Sequence, residues 1–269
     1  MTEQRQAPRL QVVVAHPDDE TFGCGGLLLH ARAVGFETYV TCATRGEAGE
    51  DRDGRSRSEL GAVRADELRQ AATRLGVTDV ELFDYQDSGM GGPTPPRTLV
   101  GADMEHIVAT VTASLRRVRP HVVLTLDASD GHRDHVRIKQ ATLRAAEELG
   151  VPTVYLSCLP QSLMRRWVAH VRADQPDKEH VRDGEMALGT PDEEISTLID
   201  VREHREPLAQ AAAAHRSQDS PYDRLPPDLR DAFLNTARAR RVRPTWDGAT
   251  LEDTLSDLVS TAVDRSAQS

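Results

Sequence analysis

Short apolar runs alternating with longer amphipathic stretches organise this chain. Gln11–Ala15, Thr38–Thr44, Asp79–Phe83, His121–Leu126, Val154–Ser157 and Ile195–Val201 are short and bounded by turn formers and polar residues, which predicts strands. Leu27–Val34, Ser58–Leu75, Asp103–Arg117 and Arg133–Leu149 read as helices. Gly76 offers the second of these a left-handed stop, and Pro120 ends the third. The stretch Asp174–Glu194 is polar, holds Pro176 and Pro191 and lacks periodicity, so it reads as a long loop or flap. Helices are expected again at Glu203–His215, Pro227–Arg240 and Leu251–Val263. Strands alternating with helices predict an α/β chain with a mainly parallel sheet and helices on both faces. Such a sheet places its active site at the carboxyl ends of the strands. One domain over residues 1–269 is expected, its core at about 10–160, with 161–269 supplying a flap and C-terminal elements that complete the site.

Composition narrows the class. Hydrophobic residues make up 38% and aromatics 4% of the 269 residues, so the core must be built mostly of Val, Leu, Ala and Ile. A net charge of -10 argues against a nucleic-acid or anionic-membrane partner, both of which require a basic face. No stretch approaches the length of a membrane-spanning helix, and Met1–Leu10 carries no apolar signal core, which points to the cytoplasm. Cys24, Cys42 and Cys158 lack CxxC spacing, which disfavours a disulfide framework or thiolate zinc site. Gly23-Cys24-Gly25-Gly26 lacks the spacing of a dinucleotide fingerprint and reads instead as close packing of the first helix, with Cys24 a small apolar filler.

The chemistry concentrates after the first strand. Val12-Val13-Val14-Ala15 leads into His16-Pro17-Asp18-Asp19-Glu20, four ionisable groups in five residues. Turns and helix caps also use Asp and Glu, but this density beside an apolar strand is too costly for a turn alone. His16 and Asp19 are side chains that a borderline divalent cation such as zinc accepts, and Asp18 between them is placed to act as a base on water. A second polar element, Asp130-Gly131-His132-Arg133-Asp134-His135, follows the strand at His121–Leu126. By itself it reads equally as a polar loop; paired with the first it points to a site.

The first element resembles the signature of the PIG-L / LmbE-type zinc-dependent de-N-acetylases, and the second is similar to that family's His-x-Asp-His element. The resemblance covers Val12 to about Leu149 well and the remainder thinly. It implies a Rossmann-like fold, a cytoplasmic hydrolase that removes an acetyl group from an N-acetylglucosamine-type amino sugar or glycoside, and a Zn2+ or other divalent metal cofactor. It assigns His16, Asp19 and His135 as metal ligands, which the residue types support, and Asp18 is the general base. His132 is the candidate partner of the oxyanion, and Asp134 orients a histidine. Arg64 and Asp87 match substrate-contacting positions of the mycothiol-pathway members, with Glu47 on weaker grounds, and are expected at the sugar hydroxyls outside the two metal motifs. Asp130 stands where that subfamily has a tyrosine. His215 resembles a C-terminal element that approaches the site, though a helix-end histidine accounts for it equally, and Glu20 either caps a helix or holds a ligand.

The expected partner is a small-molecule amino sugar, with no nucleic acid or membrane, and homo-oligomerisation is left open. Competing readings are an amidase of the same family acting on a thiol conjugate or antibiotic glycoside, a non-haem iron oxygenase, or a non-catalytic sugar-binding protein.

Overall fold

The computed structural model describes residues 7–51, 53–174 and 188–258. The expected alternation builds the first part of the sheet. Strand β1 (Arg9–Val14) is followed by a one-turn helix α1 (Asp19–Phe22), helix α2 (Gly25–Ala33) and strand β2 (Glu37–Thr44). Helix α3 (Arg57–Leu75), strand β3 (Asp79–Tyr85), helix α4 (Met104–Val118), strand β4 (Val122–Leu126), helix α5 (Arg133–Glu148) and strand β5 (Thr153–Ser157) follow. Beyond these come α6 (Gln161–Asp174), β6 (Thr197–Asp200), α7 (Arg205–Ala212), α8 (Pro227–Leu234) and β7 (Thr236–Arg243).

The strands form one seven-stranded sheet in the order β3-β2-β1-β4-β5-β7-β6. Neighbours from β3 to β5 are parallel, and β7 runs antiparallel to both β5 and β6. The sheet is thus mixed but mostly parallel. Because successive side chains of a strand point to opposite faces, Val12 and Val14 join the core under α2, α3 and α7, while Val13 and Ala15 join the core under α4 and α5. β4 and β5 are buried at every position, as central parallel strands covered on both faces must be. The strand order reverses at β1, so the crevice between β1 and β4 opens where ligands bind in open sheets.

Gly76 does end α3 in the left-handed region (φ 71°). α4 ends on Arg119 (φ 52°), one residue ahead of the expected Pro120. The close approach expected at the Gly-rich turn is real: a Cβ on Gly25 would meet Leu208 at 2.6 Å, and one on Gly26 would meet Ala237 of β7 at 3.2 Å. All three cysteines are free and buried.

The C-terminal third departs from expectation. The helix expected at Pro227–Arg240 stops at Leu234, and Thr236–Arg243 is instead the strand that joins β5 to β6. Ala and Arg are good helix formers, but Ala239 is fully buried and the segment pairs with both β5 and β6, so tertiary pairing overrides local preference. Nothing was expected at 161–173, yet α6 forms there and buries Leu163 and Met164 against Leu229 and Phe233. Asp174 therefore closes a helix, and residues 175–187 of the expected flap lie outside the described residues. The strand expected at Ile195–Val201 is the shorter β6, and α7 is preceded by a 3-10 turn at Arg202–His204. The last helix does not begin at Leu251, because Glu252 bridges Thr197; helical geometry starts at Ser256, and 259–263 lie outside the described residues. Among the described residues no helix is long and apolar enough to cross a membrane.

Candidate metal centre

β1 delivers Ala15-His16-Pro17 to the crevice, and the chain then turns sharply into α1. Asp18 holds φ 110°, a region costly for a residue with a side chain, and such strain persists where surrounding contacts impose it. Asp19 secures the turn: its Oδ2 accepts the N–H groups of Ala15 (3.2 Å) and His16 (2.8 Å). α5 begins just past the end of β4 and supplies the second set. His132 is the residue that caps α5, its Nδ1 accepting the Asp134 N–H at 3.2 Å, and His135 follows within the first turn.

These elements bring donor atoms from 119 positions apart into contact. His16 Nδ1 lies 3.2 Å from His135 Nε2. Asp19 Oδ2 is 3.6 Å from His16 Nδ1, and Asp19 Oδ1 is 3.3 Å from His135 Nε2. Ligands bound at 2.0–2.1 Å around a tetrahedral zinc sit about 3.3 Å apart, and the separations in this triangle of residues, which involve both oxygens of Asp19, are of that order. The outer nitrogens complete the argument. His16 Nε2 donates to Asp134 Oδ2 (3.1 Å) and His135 Nδ1 donates to Asp130 Oδ2 (2.6 Å). Each bond fixes the tautomer whose free lone pair faces the triangle, the arrangement expected behind metal-binding histidines.

Two other groupings share His16. Its ring lies near those of His132 and His135, and its Nε2 near Asp87 and Asp134. His132 has already spent Nδ1 on its cap, and Asp87 Oδ1 (3.5 Å) and Asp134 face the nitrogen of His16 that points away from the triangle. His16 Nδ1, His135 Nε2 and the two oxygens of Asp19 therefore lie together on the side of the His16 ring away from Asp87 and Asp134.

Electrostatics favour a cation. Burial alone would lower both ligand histidines, yet the surrounding carboxylates raise His16 well above its ordinary value, and Asp19 and Asp130 hold His135 up to about 10. Carboxylates that keep two imidazoles protonated provide negative charge that a divalent ion balances in their place. Burial and these two neighbours push His132 down to about 4, leaving it neutral with its proton on Nε2. Burial raises Asp18 to about 6 despite Arg64 beside it.

Arg64 and Asp87 sit closer to the centre than expected. Arg64 is 4% exposed and donates to Gly46 O (2.6 Å), Pro17 O (2.6 Å) and Asp18 Oδ2 (2.9 Å), so it holds Asp18 rather than standing apart from the metal motifs. A side chain on Gly46 (φ 64°) would collide with that guanidinium. Asp87 accepts from Ala48 N–H and Gly89 N–H and faces His16, while Glu47 accepts from Asp87 N–H (3.0 Å). Each acid thus ties down the other's loop. Beside them opens a cavity of about 700 Å³ lined by Glu47, Tyr85, Asp87 and Arg97, and Glu47 Oε2 is buried with no hydrogen-bond partner.

Two contributors carried no role in the sequence reading. Asp130 was noted only for replacing a tyrosine, and it backs His135. Arg133 donates to the carbonyls of Ser88, Gly89, Gly91 and Gly92, clamping the loop whose Ser88 N–H binds Asp134. An acid five residues before His135 was the available signal for Asp130. Glu20 turns away from the centre: it is fully buried and accepts from His215 Nε2 (2.8 Å), Thr21 Oγ1 and Asp18 N–H. His215 therefore reaches the back of the site, not its mouth.

A family model described as PIG-L: GlcNAc-PI de-N-acetylase matches residues 11–146, the span holding both motifs. This chain belongs to the PIG-L family. It is 32% identical to the 1D-myo-inositol 2-acetamido-2-deoxy-alpha-D-glucopyranoside deacetylase of Geodermatophilus obscurus, over 87% of this chain and 92% of that protein. In three dimensions it resembles the N,N'-diacetylchitobiose deacetylase of Pyrococcus horikoshii (TM-score 0.60, 19% identity, 88% of this chain and 84% of that one). It equally resembles a 4-carboxy-2-hydroxymuconate hydratase of Pseudomonas putida (TM-score 0.61, 18% identity, 89% and 98%). The PIG-L fold is thus shared with a hydratase, and the reaction has to be argued from the site.

Proposed function

We propose that this chain is a zinc-dependent N-deacetylase that releases acetate from the acetamide of an N-acetylglucosamine-type glycoside. The observation that carries the reading is the close approach of the His16, Asp19 and His135 donor atoms, with the carboxylate of Asp18, held by Arg64, alongside. Membership of the PIG-L family and the glycoside deacetylase among its relatives support it.

His16, Asp19 and His135 would hold the metal, which when bound polarises the amide carbonyl and lowers the pKa of water to about 7. Asp18 takes a proton from the attacking water as its oxygen bonds to the acetamide carbon. Arg64 keeps that carboxylate aimed. His132, neutral and with Nδ1 engaged by the Asp134 N–H, presents Nε2–H to the developing oxyanion. The C–N bond then breaks, and the nitrogen leaves as the free amine with the proton that Asp18 took up. Asp134 and Asp130 hold the two ligand rings throughout. Asp87 and Glu47 line the cavity of about 700 Å³ that is large enough for a sugar ring.

The test combines metal analysis with acetate and amine release from a panel of N-acetylglucosaminides, including an inositol glycoside, a disaccharide and an antibiotic conjugate. Stoichiometric zinc and release that a chelator abolishes and zinc restores are expected. Metal bound elsewhere, or turnover that survives complete metal removal, overturns the proposal.

A further inference from the structure

The connection from β3 to α4, residues 86–103, leaves the sheet beside the metal centre and folds back on itself. Its base is stapled: Gln86 N–H donates to Arg97 O (2.9 Å), Leu99 N–H to Gln86 O (2.9 Å) and Val100 N–H to Ser88 Oγ (3.0 Å). Between these ends residues 90–97 are exposed, Met90 at 69%. Gly89 (φ 62°) and Gly92 (φ 85°) hold left-handed conformations at the tip, and a Cβ on Gly91 or Gly92 would meet nothing within 4 Å. A glycine-rich tip without packing neighbours has much backbone freedom to lose, so its position depends on whatever fastens it.

Arg133 provides that fastening. From the first turn of α5 it donates through Nε to Gly89 O (2.7 Å), through Nη1 to Gly92 O (3.0 Å) and through Nη2 to Gly91 O (2.8 Å) and Ser88 O. A planar guanidinium with five N–H donors in a fixed fork can hold four carbonyls at once, which the three donors of an ammonium cannot. The fastened loop forms one wall of the cavity of about 700 Å³, which Gly91, Pro93, Pro95 and Arg97 line together with Glu47 and Asp87; Arg133 itself does not line it. The base of the loop does not depend on Arg133 alone. Ser88 is also held by Val100 N–H and by its own N–H on Asp134, and Asp87 by Ala48 N–H and Gly89 N–H.

We infer that Arg133 is a positioning residue for the sugar: it latches the loop Gly89–Arg97 as a preformed wall of the sugar cavity and acts on substrate binding without touching substrate. The inference rests on the deacetylase reading for the identity of the sugar. A wall in place for only a fraction of the time weakens apparent affinity by that fraction, and ordering it on binding costs freedom that the latch has already removed. If loss of the guanidinium leaves the loop in place roughly a tenth of the time, binding falls about tenfold while the groups at the reacting bond stay where they are.

The experiment uses the zinc-loaded full chain, with methyl N-acetylglucosaminide as substrate and its deacetylated product, methyl glucosaminide, as a calorimetric ligand. Arg133→Met should raise KM and weaken product binding by roughly tenfold, with kcat changed by less than about threefold and zinc content unchanged. Arg133→Lys restores some of the donors and should recover part of the loss. Gly92→Ala, strained at φ 85° but on the loop rather than on α5 and outside the cavity lining, should shift KM and product binding in the same direction, and it decides the matter if Arg133→Met does not fold. Loss of zinc, or a fall in kcat at unchanged KM, would mean that Arg133 serves the metal centre instead and overturns the latch. Turnover with KM and product binding unchanged in the variants overturns it as well and leaves the deacetylase reading standing. Arg133-dependent binding of methyl glucosaminide without acetate release from the substrate upholds the latch and overturns the deacetylase reading. A wild type that neither turns over the glycoside nor binds the product overturns both.

Discussion

The turn from Asp18 to Phe22 has two sides, and they use the same kind of residue for opposite ends. On the crevice side, Asp18 and Asp19 keep 21% and 11% of their side chains exposed, Asp18 facing Arg64 and Asp19 facing the ring nitrogens of His16 and His135. On the back, Glu20 and His215 form a pair with both side chains at 0% exposure. Behind it, Glu67 of α3 accepts the N–H and hydroxyl of Ser217. The open side keeps its charged groups within reach of solvent and of a ligand; the closed side satisfies its charge out of solvent and so ties the C-terminal segment to the site. Consecutive acids in one motif divide between chemistry and fastening according to which side of α1 they face.

The strongest way to break this comparison is to alter the open side. Asp19→Ala should lose zinc and turnover together. Asp18→Ala should keep zinc yet lose turnover by roughly 10²–10⁴-fold, the usual contribution of a general base. Metal content and kcat measured on both variants decide the matter, and equal loss of zinc would remove the distinction between the neighbouring acids. On the closed side the effect should be on stability. Glu20→Ala strands His215 in a buried site and should cost about 3–5 kcal/mol in urea unfolding of the metal-free protein. If it instead abolishes zinc binding at unchanged stability, the back is part of the metal site.

Asp87 sharpens the boundary. Its contact with His16 predicts that Asp87→Ala weakens zinc affinity by roughly 10–100-fold, as loss of a carboxylate behind a ligand histidine does. An unchanged affinity with a raised KM would return Asp87 to the sugar alone. The smallest expected effect concerns pH. Burial would lower His215, but Glu20 and Asp18 of the turn and Glu67 of α3 raise it. A raised folded-state pKa contributes stability that is full below about 6.5 and is lost as pH climbs through the folded value. The unfolding midpoint of wild type relative to His215→Gln should therefore decline from pH 6 to pH 9; a flat difference would mean that the pair is not charged.

Much of the sheet and the candidate ligands were legible because their signals are local. β1 and β4 are rich in apolar residues, His16 and Asp19 come within five residues of the end of β1, and His135 lies in the first turn of the helix after β4. Arg64 is a candidate in the sequence, but only the approach of α3 to Pro17 shows that its guanidinium reaches Asp18. Arg133 had no local signal at all, since its acceptors are backbone carbonyls more than 40 positions away.

By itself, the sequence determined the alternating α/β pattern of the first five strands and the placing of His16, Asp18 and Asp19 together after the first of them, because these depend on side-chain chemistry and spacing within a few residues. Tertiary structure alone decided that Thr236–Arg243 is a strand and that Glu20 answers a histidine 195 positions away. An Ala- and Arg-rich segment has no local preference strong enough to choose sheet over helix, and a buried charge acquires its meaning only from the partner that folding does or does not bring to it.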